Sequence, residues 1–196
     1  MIRTIEKKVI ESARKGDSTA FTEIYFALRG SIYGFSYRML GEQSLAEDTT
    51  QETFVFLLEN FEKYDETRGE LKSFLCGVAR RKIAAYLRRS GTRLEIFADD
   101  WTDYEESENS LQSPLDNLLS RELEGVIEGK IAALPALQRE VLVLRDIEGF
   151  SYKEIAEITE TELGQVKIRL YRARKKMALE LTPYLNRNGE QSYEIL

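Results

Sequence analysis

Phe21, Ile24, Tyr25, Leu28, Ile32, Phe35 and Met39 recur at helical intervals, the spacing that lines one face of an α-helix. Gly16-Asp17 precede this run and Gly41 follows it, which predicts a helix starting near 17 and stopping at 41. Ser44 and Glu47 have the spacing of a capping box. They predict a second helix with Thr50, Phe54, Leu57, Leu58 and Phe61 on its inward face. A loop from Glu62 to Glu70 follows. A third helix over about Leu71–Arg89 would then bury Leu75, Val78, Ala79, Ile83, Tyr86 and Leu87.

From Gly91 to Gln112 the periodicity stops and the chain turns acidic and rich in Ser and Asn, as a linker would. Ile96, Phe97 and Trp101 suggest that part of it docks on a surface. Ser113-Pro114 reads as an N-cap followed by proline at the first helical position. The stripe Leu115, Leu118, Leu119, Leu123, Val126, Ile127, Ile131 and Leu134 then runs to Pro135. A further helix is expected from Ala136 to about Glu148, stopped by Gly149. Ser151 and Glu154 form another capping-box pattern, opening a short helix with Ile155 and Ala156 inward. After a turn at Thr159–Thr161, Leu163, Val166, Leu170, Ala173 and Met177 line a last, basic helix. Short helix, tight turn and longer basic helix together make a helix-turn-helix pattern. The expected fold is all-α: a helical bundle over 1–90, a flexible acidic linker over 91–112, a helix-turn-helix domain over 113–185, and a tail over 186–196.

Composition narrows the chemistry. The 196 residues include no histidine and one cysteine, Cys76. The commonest general base and metal ligand is therefore missing, no internal disulfide can form, and no cofactor or metal is expected. A lone cysteine fits a reducing cytoplasm, and Cys76 reads as a small buried hydrophobe. No apolar run nears the roughly 20 residues that a membrane helix needs, so no membrane insertion is expected.

The net charge of −6 is strongly segregated. Lys72 to Arg93 carries seven bases and no acid, Glu95 to Ser120 eight acids and no base, and Glu162 to Ala178 six bases against one acid. On the last helix Gln165, Lys167, Ile168, Tyr171, Arg172 and Lys175 share the face away from the apolar stripe. A few side chains on one helical face are what a major groove accommodates. On the helix after Ser44, Glu47, Asp48, Gln51 and Glu52 share one face, because positions three and four apart are neighbours.

At these residues the chain resembles the extracytoplasmic-function sigma factors of the sigma-70 family. LPALQREVLVLRDIEGFSYKEIAEI followed by GQVKIRLYRARKKM resembles the domain that reads the minus-thirty-five element. GDSTAF, AEDTTQETF and SFLCGVARRKIAAYLRR resemble the domain that reads and opens the minus-ten element. The resemblance spans about Lys15–Leu181. It implies a transcription initiation subunit that binds core RNA polymerase and promoter DNA and carries no catalytic residue. Lys167, Ile168, Tyr171 and Arg172, with Gln165, would face the upstream element, and Arg169 would touch phosphate or pack locally. Tyr64, Lys72, Phe74, Arg80, Arg81 and Arg88 would lie along the non-template strand near the minus-ten element. Glu47, Asp48, Gln51 and Glu52 would dock on the polymerase. Many members are held by an anti-sigma factor, which adds such a protein to the implied partners.

This chain departs from the family pattern at several positions. It has Gln165, Ile168 and Glu160 where Thr, Ser and Gly are usual, Phe74 and Arg81 where Trp and Asn are usual, and Leu45 where a further Asp is usual. The rival reading is a stand-alone helix-turn-helix regulator, which leaves the basic Lys72–Arg89 helix and the acidic face unexplained. On the first reading, the acidic linker shields the two basic helices until polymerase docking separates them.

Overall fold

The computed structural model describes residues 5–89 and 119–190. Every regular element among them is helical. The N-terminal half contains α1 (Lys7–Arg14), α2 (Ser18–Leu40), α3 (Gln43–Glu59), a 3-10 turn (Phe61–Lys63) and α4 (Leu71–Arg89). The C-terminal half contains α5 (Leu119–Ala132), α6 (Ala136–Leu142), α7 (Tyr152–Thr159) and α8 (Leu163–Glu190). The expected linker, with Ile96, Phe97 and Trp101, and the expected helix start at Ser113-Pro114 lie outside the described residues.

Local chemistry sets most helix ends. Asp17 caps α2 by accepting hydrogen bonds from the backbone N–H groups of Thr19 (2.8 Å) and Ala20 (3.2 Å), an arrangement worth about 1 kcal/mol. Gly41 ends α2 at φ 73°, its N–H returning to the Tyr37 carbonyl, a left-handed geometry in which a Cβ would be strained. The capping box at Ser151 is formed: its hydroxyl accepts from the Glu154 N–H, and Glu154 accepts from the Ser151 N–H.

The box expected at Ser44 is not formed. α3 begins a residue earlier, at Gln43, without a side-chain cap; the Ser44 hydroxyl donates to Glu42 and the Gln43 amide to Glu47. α1 lies before the first helix that the sequence pattern marks. It is short and buries only Ile10 and Ala13, too few positions to establish a period. Three expected core residues stand outside: Leu58, Tyr86 and Leu163 are 61%, 39% and 46% exposed. Their neighbours Leu57, Ile83 and Val166 hold the inward positions.

The stretch expected as one helix to Glu148 changes pitch. After α6 it continues as a π turn over Val143–Ile147, closed by the Glu148 N–H on the Val143 carbonyl at 3.0 Å. Gly149 then reverses the chain at φ 80°. α8 runs through Pro183, which has no N–H for the preceding turn, and its backbone stays helical to Glu190.

Ile24, Ile32 and Phe35 of α2 pack with Phe54 and Leu57 of α3 and Leu75 and Ala79 of α4. Val141 and Leu144 pack with Ile155 of α7 and Val166 and Leu170 of α8. Each of these side chains larger than alanine contributes about 1.5–3 kcal/mol on burial. The two sets form one continuous cluster, because α4 lies on α7 and α2 reaches α5 and α6. Arg139 of α6 reinforces this junction, donating to the Arg38 and Met39 carbonyls at the end of α2 and to Leu134 in its own half.

Candidate nucleic-acid interface

Helical spacing gives α4 two faces. Leu71, Leu75, Val78 and Lys82 share one, which meets α3, where the Lys82 ammonium lies 2.9 Å from Glu52. Lys72, Ser73, Cys76, Gly77, Arg80 and Arg81 share the other, which meets the C-terminal half. There the Lys72 ammonium binds both the Glu148 carboxylate (2.9 Å) and its backbone carbonyl (2.8 Å), both side chains being almost fully buried. Phe150 places its ring 4.8 Å from the same ammonium, a favourable cation–π arrangement. The π turn and the Gly149 reversal flank Glu148 and help to aim it at α4.

Carboxylates continue along this face. Arg80 donates to Glu140 at 2.8 Å, Ser73 to Glu154 at 3.3 Å, and Arg81 lies 3.6 Å from Glu160. Beyond α4, Arg38 of α2 pairs with Glu128 of α5 at 2.6 Å. Burial pushes the Glu140 carboxyl upward, opposed by Arg80 and by Arg169 of α8. Cys76 is fully buried beside this seam, and burial together with Glu148 raises its thiol well above the ordinary range. A thiol held protonated there is a packing group.

The six residues expected at the minus-ten element therefore sit in different environments. Lys72 is enclosed, so its ammonium is not presented to solvent, and Arg80 is half-buried in its ion pair. Tyr64 is 5% exposed; its hydroxyl donates to the Gly69 carbonyl, and its ring lies 5.6 Å from that of half-buried Phe74. The tyrosine closes its own loop, and burial raises its pKa. Arg81 and Arg88 are exposed. Tyr64, Phe74, Gly77 and Arg81 nevertheless border one cleft of about 290 Å³, whose opposite wall includes Glu154 and Glu157 of α7.

On α8 the expected upstream-reading residues divide as well. Gln165 and Arg169 lie one turn apart and turn partly inward: Gln165 Oε1 and Arg169 Nε and Nη1 are buried without hydrogen-bond partners. Lys167, Ile168 and Arg172 are half-buried, and Tyr171 is 43% exposed. Arg174 packs locally, 2.6 Å from Asp146. In the turn before α8, Glu160 adopts φ 54°, the left-handed conformation that glycine enters without steric cost.

The four acidic-face residues Glu47, Asp48, Gln51 and Glu52 are all exposed on α3. Val55 and Leu58, 51% and 61% exposed, extend that face with apolar surface. Sequence reasoning missed both, although they continue the spacing that groups the acids. It also gave no sign that Glu148, Glu140 and Glu160 would meet Lys72, Arg80 and Arg81 of α4, because neither spacing nor local charge records such pairings.

Comparisons with known proteins cover both halves of the chain. Residues 24–93 match the family model for Sigma-70 region 2, and residues 125–177 match that for Sigma-70, region 4. The chain is 32% identical over 180 residues to the ECF RNA polymerase sigma factor SigW of Bacillus subtilis (strain 168), covering 89% of this chain and 96% of that protein. It is 27% identical to the ECF RNA polymerase sigma-E factor of Haemophilus influenzae, covering 92% and 97%. In fold it is similar to CnrH, solved with the cytosolic domain of CnrY (TM-score 0.65, 19% identity, 90% and 96% covered). It is also similar to RpoE of Bartonella quintana, solved with the anti-sigma factor NepR (TM-score 0.62, 21% identity, 83% and 96% covered). Two sigma-70 regions in order, built from helices among the described residues and matched along nearly the full length of a sigma factor, place this chain in the extracytoplasmic-function group of the sigma-70 family.

Proposed function

We propose that this sigma factor works through three separate surfaces. The acidic face of α3 docks on core RNA polymerase, α8 reads the minus-thirty-five element, and α4 with its adjoining cleft holds the non-template strand at the minus-ten element. The chain directs promoter recognition and is not an enzyme; polymerisation belongs to the core enzyme. Its place of action is the cytoplasm, where polymerase and promoter are found, and no described helix is long and apolar enough to cross a membrane. An anti-sigma factor is the proposed controlling partner, as the two solved relatives were each captured with a second protein.

The carrying observation is the separation of charge between surfaces. Glu47, Asp48, Gln51 and Glu52 are exposed together on α3, while cations line a different face of α4 and the exposed side of α8. A stand-alone regulator needs no such second docking surface.

Reconstituted transcription tests the reading. Asp48→Lys with Glu52→Lys should abolish binding to core polymerase while leaving helicity intact, since reversal at a contact replaces attraction with repulsion. Lys167→Ala and Arg172→Ala should instead leave polymerase binding intact and weaken promoter-specific initiation, by about 1–3 kcal/mol for a lost base contact. Unchanged polymerase affinity in the reversed protein would remove the α3 assignment.

A further inference from the structure

We propose that Ile168 makes α8 a reader of thymine: its aliphatic side chain lies against the C5-methyl group of one thymine in the upstream element and sets the base preference there. The inference deepens, and rests on, the reading that α8 enters the major groove of that element. Val166, Leu170, Ala173 and Met177 form the buried stripe of α8. At about 3.6 residues per turn, Ile168 comes out on the side away from that stripe, and it is half-buried there.

Side chains of a helix lean toward its N-terminus, so Ile168 covers the turn that holds Gly164. Gly164 has no side chain to compete for that patch, and a Cβ built there would meet nothing within 4 Å. Its backbone is regular helix, with no left-handed angle that calls for glycine. Glycine is among the weakest helix formers, so neither backbone geometry nor crowding within the chain accounts for it. A surface approaching from outside does. The missing side chain leaves the Ile168 tip open at the end of α8 that a helix-turn-helix presents to base edges.

The surroundings of Ile168 suit DNA and leave the apolar position to a base. Lys167 and Arg172 flank it on α8, and Lys175 follows one turn after Tyr171; such cations serve the phosphates bordering a groove. Among the base edges of the major groove, the thymine methyl is the apolar feature. Isoleucine has neither donor nor acceptor. Against a cytosine amino group or a purine edge it removes water and returns no hydrogen bond, an unfavourable exchange.

The test uses holoenzyme assembled from core polymerase and the full chain. A duplex pool randomised across both promoter elements is selected with wild type, Ile168→Ser and Ile168→Val. Wild type should enrich a thymine at one upstream position; Ile168→Ser should lose that preference alone, and Ile168→Val, still apolar and β-branched, should keep it. The selected duplex is then made with uracil at that position, which removes only the methyl group. Wild-type affinity should fall roughly fourfold, the worth of one methyl contact, whereas Ile168→Ser should bind both duplexes alike.

Uracil bound as tightly as thymine by wild type overturns the proposal without relying on any variant. So does an upstream preference that Ile168→Ser leaves unchanged. Lys167→Ala/Arg172→Ala holoenzyme that selects the same upstream sequence with the same affinity defeats the assignment of α8 itself, so the two failures are distinct.

Discussion

At the scale of single residues, Glu154 shows how one carboxylate can serve two tasks. It closes the capping box of α7 with Ser151 and accepts from Ser73 across the seam. Burial pushes its pKa up, but the hydrogen bonds from Ser151 and Ser73 and the nearby Lys72 outweigh this and hold it below the usual glutamate value. A depressed folded-state pKa means the ionised form is favoured by folding, so the contribution is fully present above the unfolded value near 4.5 and is lost as pH falls through the folded one. Glu154→Ala should therefore lower stability by about 1 kcal/mol at neutral pH. The gap to wild type should close as pH drops below the ordinary glutamate range. Thermal melts of both proteins across acidic pH check this; a constant gap would show that the charge is irrelevant to the cap.

At the scale of elements, α4 combines a demanding environment with an imperfect helix. It packs against α3 on one side and α7 on the other, yet has Gly77 at its middle. Glycine in a helix interior costs about 1 kcal/mol relative to alanine. A methyl group built there meets only Arg81 Nη1, at 3.9 Å, an ordinary van der Waals distance. Gly77→Ala should thus stabilise the protein by about 1 kcal/mol, read as a raised midpoint in chemical denaturation. Destabilisation would mean that the seam between α4 and α7 has less room than the geometry indicates.

At the scale of the whole molecule, the decisive quantity is how far the two halves stabilise each other. Leu75 lies on the α3 side of α4 at 0% exposure, and its truncation to alanine should cost about 2–5 kcal/mol. Lys72→Ala would by general experience cost about 3–5 kcal/mol, since it strands a buried carboxylate at Glu148. A chain whose halves can part has another outlet, because water reaches Glu148 once the seam opens. The loss at Lys72 is then limited to the free energy of closing the seam. Parallel equilibrium unfolding should show the smaller shift for Lys72→Ala; an equal or larger one would indicate a single inseparable core.

The amino-acid sequence by itself determined the helices and most of their limits, because these depend on neighbours within a turn or two. The stripe from Ile24 to Met39, the Asp17 and Ser151 caps and the Gly41 stop are all local. The acidic face at Glu47–Glu52 was legible for the same reason, and the ordered motifs pointed to the sigma family. Local reasoning failed where two patterns competed over a few residues: at Ser44, whose hydroxyl turned to Glu42, and in the π turn, which no periodicity announces. Only the tertiary structure decided which cations are presented and which are held. Lys72 and Arg81 look alike in the sequence, yet one is sealed against Glu148 and the other lies exposed beside Glu160. The partners of Lys72 and Arg80 stand 76 and 60 residues away. Such pairings arise from the packing of α4 against the C-terminal half, Glu148 following the π turn and Glu140 standing on α6, and spacing along the chain carries no record of them.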